Sequence, residues 1–114
     1  MAYRVEIAPL ALANLDAGYV FIKKESRERA AQWLYGITKA ILSLERLPTR
    51  CPIASESKEI GQEIRYLLYG KRQRAYKIFF SIQANRPRAG TINVFHVRHG
   101  AMKRLLAGEL KALM

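Results

Sequence analysis

Residues 63–82 read EIRYLLYGKRQRAYKIFFSI, two runs rich in aromatic and branched side chains parted by a glycine and a knot of cations. Such runs favour extended backbone, and Gly70 can take the positive φ that a turn between them needs. The stretch therefore predicts a β-hairpin with a charged tip. Its alternation leaves two registers open. Directly opposed residues share a face, so packing Ile64, Tyr66 and Leu68 against Tyr76, Ile78 and Phe80 requires an odd loop, for example Gly70-Lys71-Arg72. Arg65, Leu67, Tyr69, Gln73, Ala75 and Lys77 then lie on the opposite face, while Arg72 and Arg74 crowd the tip. An even, two-residue loop instead brings Arg65, Arg72, Arg74 and Tyr76 onto one face. Both registers gather guanidinium groups beside tyrosines.

A hairpin alone cannot bury its apolar side, and the preceding residues supply the cover. Tyr3, Val5 and Ile7 alternate with Arg4 and Glu6, which predicts a short strand. Pro9 suits a first helical turn, and Leu12, Leu15, Tyr19 and Ile22 follow at helical spacing. Ser26 is a good N-cap for a second helix carrying Ala30, Trp33, Leu34, Ile37, Ile41, Leu44 and Leu47 down one stripe until Pro48 stops it. Residues 48–62 (PTRCPIASESKEIGQ) form a polar loop long enough to be functional or mobile. After the hairpin, residues 83–90 predict a flexible turn, Ile92 to Val97 a further strand, and Leu105, Leu106, Leu110 and Leu113 a short C-terminal helix. The order is β-α-α-β-β-β-(α). It predicts a single α+β domain over 1–114, with a helical hairpin packed on a mostly antiparallel sheet.

Charge narrows the function. Of the net +11, residues 1–57 hold eight Lys/Arg against six Asp/Glu, and residues 58–114 hold twelve against three. A basic surface confined to one half of a small domain points to a polyanionic partner: nucleic acid, a ribosome or an acidic protein. No apolar run approaches the roughly 18 residues of a membrane span, and the N-terminus alternates where a signal peptide would be apolar. A soluble, cytoplasmic protein is expected, with no membrane partner. Cys51, the single cysteine, has no partner for a disulfide within the chain and reads as loop filler.

Nucleotide hydrolysis, serine hydrolysis and zinc chemistry find no support, because no P-loop, G-x-S-x-G, paired cysteines or H-E-x-x-H is present. His96 and His99 fall on opposite faces of a strand, and acids are sparse in the second half, so neither a metal site nor a cofactor is called for. What remains is a set of Arg, Lys, Tyr and His side chains. Arg65, Arg74, Arg98 and His99 are the candidate catalytic groups. Tyr69, Lys71, Arg72, Tyr76, Lys103 and Arg104 are candidates for holding the target. That set suits metal-free RNA cleavage, in which a base takes the 2′-hydroxyl proton, cations stabilise the phosphate and an acid protonates the leaving oxygen. It suits passive polyanion binding equally.

Four stretches together resemble the RelE/ParE superfamily of toxins from bacterial type II toxin–antitoxin modules: YRVEIAPLALANLDAGYVFI, AAQWLYGITKAILSLERLP, EIRYLLYGKRQRAYKIFF and INVFHVRHG. The resemblance implies a growth-inhibiting toxin masked by a cognate acidic antitoxin. It implies one of two targets: messenger RNA on the ribosome, cut by RelE-like members, or DNA gyrase, poisoned by ParE-like members without chemistry of their own. By position, Arg65 matches a basic residue of the RelE-like strand before the turn, and Tyr76 the tyrosine after it. The chain departs from the nuclease pattern at Glu63, where a lysine is usual, and at Gln73, where an arginine is. Ala101-Met102 stand where an arginine often follows, and no tyrosine occurs after residue 76. On sequence, a ribosome-dependent mRNA endonuclease is the first reading and a gyrase inhibitor the alternative.

Overall fold

The computed structural model describes residues 2–71, 74–85, 87–100 and 112. In chain order these form β1 (Arg4–Ile7), α1 (Pro9–Lys23), α2 (Arg27–Leu42), a one-turn α3 (Ser57–Ile60), β2 (Arg65–Tyr69), β3 (Tyr76–Asn85) and β4 (Arg88–His99). The strands make one sheet in the order β1-β4-β3-β2. β1 runs parallel to β4 and the other neighbours are antiparallel, which gives the α+β architecture predicted from the sequence. The predicted C-terminal helix lies outside the described residues, as do Arg72, Lys103 and Arg104.

Local chemistry accounts for most of the helix boundaries. The Ala8 N–H donates to the Val94 carbonyl at 2.8 Å, and Pro9 occupies the first turn of α1, where no N–H is needed. Ser26 caps α2 by accepting from the Arg29 N–H at 3.2 Å. α1 buries Ala11, Leu15 and Gly18; of the predicted stripe Leu15 is buried, Tyr19 and Ile22 are half-buried and Leu12 is exposed. A Cβ on Gly18 would overlap the Trp33 ring; its absence lets α1 and α2 approach. α2 ends earlier than predicted. It gives way after Leu42 to a 3₁₀ turn, and Leu47, predicted for the core stripe, turns out to solvent in the left-handed region. A residue before proline is disfavoured in the helical region, so Pro48 bars Leu47 from continuing the helix but does not account for the break after Leu42.

The hairpin takes an even register. Tyr69 pairs with Tyr76 across a six-residue connection, Leu67 with Ile78 and Arg65 with Phe80. The odd-loop packing is therefore corrected: Tyr76, Ile78 and Phe80 share the helix-covered face with Leu67 and Tyr69, while Ile64 and Tyr66 join Phe79 on the outer face. On β4 a bulge leaves Phe95 unpaired between Val94 and His96, so both Phe95 and His96 lie on the outer side. Around the turn predicted for residues 83–90, β3 continues to Asn85 and β4 resumes at Arg88, far longer strands than the sequence marks out.

The inner core joins Ala11, Leu15, Ile37, Ile41 and Leu44 of the helical layer to Ile78, Phe80, Ile92, Val94 and Val97 of the sheet. Ala54, Ile64, Phe79 and Phe95 form a second, smaller cluster on the outer face. The segment after α2 completes it. Ala54 donates to the Ile64 carbonyl at 2.7 Å and Tyr66 to the Pro52 carbonyl at 3.2 Å, so this segment covers half of the β2 edge. Ser57 Oγ both accepts from Ile64 N–H and donates to Ile64 C=O at 2.9 Å.

Candidate functional site

The register gathers one group of candidate residues at the sheet end where β2 stops, β3 starts and β4 finishes. Tyr69, Tyr76 and His99 lie in one row across the strands, and Leu68, Lys77 and Arg98 in the next. Because side chains alternate, the first row faces the helices and the second the outer side. Gly100 N–H donates to Ala75 C=O at 2.7 Å and closes this end. Lys71 and the neighbouring Arg74 are exposed at the hairpin tip, tied by the Arg74 N–H to the Lys71 carbonyl at 3.1 Å.

The inner row is aromatic. Trp33 and Tyr76 ring centroids lie 4.9 Å apart, and His99 meets the Tyr76 ring edge-on at 4.8 Å. Tyr69 is committed elsewhere: a Cβ on Gly36 would overlap its hydroxyl, so the ring sits flush on α2. Burial pushes the Tyr76 phenol above its usual pKa, still further from acting as a base near neutrality. Tyr76 and His99 form one wall of an open, mainly apolar groove of about 510 Å³; α1 supplies Asn14, Gly18 and Phe21 opposite. Asn14 Oδ1 accepts the Val97 N–H at 3.0 Å and so fixes helix to strand. An asparagine in the middle of a mostly apolar helix is the sequence signal for that tie, and nothing in the sequence singles out Phe21.

Arg65 stands apart. It is four positions from Tyr69 on β2, about 13 Å along the strand. Its Nη1 donates to the carbonyls of Cys51 at 2.6 Å and Thr49 at 3.2 Å, and its Nη2 meets Glu63 Oε1 at 3.0 Å. The guanidinium holds the segment after α2 against β2, and only 14% of its side chain is exposed. Burial raises the pKa of the neighbouring Cys51 thiol, with Arg50 and Arg65 opposing the rise.

On the outer face the Lys77 ammonium sits 4.2 Å from the Tyr66 ring centroid, a cation–π contact, directly across from Arg98. His96 is buried, stacks on Phe79, and has neither ring nitrogen hydrogen-bonded among the described residues. Burial, with Arg98 adding to it, lowers its pKa. His96 and His99 therefore face opposite sides of the sheet.

In fold the chain resembles one from a ParDE system. That structure, the chromosomal ParDE TA system from P. aeruginosa, superposes with a TM-score of 0.63 at 17% identity. The match covers 86% of this chain and 96% of that one. At such identity the ParDE likeness is one of fold. No family model matches the sequence. No curated protein matches it either.

Proposed function

We propose that the protein is the toxin of a two-component toxin–antitoxin module, neutralised by an acidic antitoxin, and that it arrests growth by binding a protein target, DNA gyrase, without chemistry of its own. The ParDE-like fold and the +11 charge support the toxin reading. One observation supports binding over cleavage: the candidate catalytic set is split, with Arg65 away from the sheet end that holds Arg74, Arg98 and His99. Arg65 is anchored to loop carbonyls about 13 Å from the row of Tyr76 and His99, and Arg98 and His99 face opposite sides of the sheet.

A second reading, ribosome-dependent mRNA cleavage, draws on Arg74, Arg98 and His99 at one end of the sheet, with Lys71 beside them. His99→Gln under controlled expression in a bacterial host separates the two. A binder should change its growth-arresting dose less than about tenfold, whereas a nuclease deprived of its proton-transfer group should lose about a hundred- to ten-thousand-fold. Loss on the larger scale, with cut messenger RNA from the parent, would overturn the binding assignment.

A further inference from the structure

Leu47 breaks two rules at once. It is the one non-glycine residue with positive φ among those described, at φ 47° and ψ 53°, and it is 74% exposed. Glycine or asparagine adopts the left-handed region with little strain, whereas a leucine there is strained. Exposed as it is, Leu47 gains no compensating burial in the core. The turn that presents it is built firmly. Arg50 Nη1 donates to the Arg46 carbonyl at 2.6 Å and the Leu47 carbonyl at 3.1 Å, and Nη2 reaches Ser43 Oγ at 2.9 Å. Ser43 Oγ in turn donates to the Ala40 carbonyl at 2.6 Å.

The helix leading to this turn carries a matching surface. Tyr35 and Leu42 lie seven positions apart on one side of α2 and are 67% and 51% exposed. Lys39 sits between them with its ammonium 5.2 Å from the Tyr35 ring, and Arg46 follows with 83% of its side chain exposed. We infer that the outer side of α2, ending in Leu47, is the surface that docks on the target protein. The partner face it fits is an apolar socket rimmed by carboxylates. Strain held at an exposed position points to function and not to folding. A leucine offers no π-face for stacking on a base and no donor for a base edge, which argues for a protein over RNA. At the Leu47 end Lys39, Arg46 and Arg50 outnumber Glu45, with Glu28 at the far end of the helix, and so set the charge of the complementary rim.

The inference rests on the toxin reading, and one experiment keeps the two apart. Leu47→Asn accepts the same backbone with less strain, so its melting temperature should equal or exceed the parent's. Its growth-arresting potency should fall about ten- to a hundredfold, the effect of losing one buried leucine from an interface. Arg46→Glu should weaken arrest as well, while Leu12→Asn on α1 should leave it unchanged. A folded Leu47→Asn variant as potent as the parent would overturn the assignment, and so would one that melts early. A parent dimer that Leu47→Asn converts to monomer without loss of arrest would give the face to a second copy instead. A parent chain that fails to arrest growth at all defeats the toxin reading, and this target surface goes with it.

Discussion

The two faces of the sheet are built from the same strands and do different work. On the inner face Ile78, Phe80, Ile92 and Val94 are fully buried beneath two helices. On the outer face a four-residue cluster sits towards one end, while Lys77 and Arg98 occupy the other, with His96 between. Alternation makes this division possible: each strand sends every second residue to the core and frees the next for charge. The Phe95 bulge shifts that parity along β4, which is why His99 faces the helices and His96 does not. A substitution should therefore be felt according to its face more than its residue type.

The largest test of that contrast uses two adjacent phenylalanines. Phe80→Ala on the inner face should cost roughly 3–5 kcal/mol by urea unfolding, and Phe79→Ala distinctly less, because its smaller cluster has fewer neighbours and more freedom to collapse. An equal or greater cost at Phe79 would mean that the outer cluster is part of the main core. Next in size, Arg65→Ala should cost about 2–4 kcal/mol, since it strips charged donors from the Cys51 and Thr49 carbonyls. Arg65→Lys should recover only part of it, because a single ammonium replaces two nitrogens, one on the carbonyls of Cys51 and Thr49 and the other on Glu63 Oε1. If either variant kept the parent's stability but lost growth arrest, Arg65 would belong to the functional site and not to the loop.

The smallest effect should appear in acid. Burial holds the folded-state pKa of His96 below the unfolded value of about 6.5, so the unfolded chain takes up the proton first. The stability that neutral His96 allows is complete above about pH 6.5 and is lost as pH falls through the folded-state value. His96→Phe should flatten the melting temperature between pH 7 and 5. An unchanged acid slope would place the titrating group elsewhere.

Element order could be read from the sequence because single residues carry it: Pro9 and Ser26 each start a helix for a stated local reason. The hairpin register could not, since six residues connect the arms and the pairing follows from which side Ile78 and Phe80 must bury. The same limit hid the end of α2, where an apolar Leu47 fits the stripe by spacing but not by backbone. At the site, Tyr76, His99 and Arg98 were visible as residue types beside a turn. Arg65 looked equivalent to them until its carbonyl partners, 14 and 16 positions away, showed what holds it.

The central claim, that this protein acts by binding, is tested most directly by adding the purified chain to purified DNA gyrase and supercoiled plasmid. Linear DNA should accumulate only when chain and gyrase are both present, and the chain alone should leave the plasmid intact. Plasmid left uncut with gyrase, while the same preparation cleaves messenger RNA on ribosomes, would contradict the account.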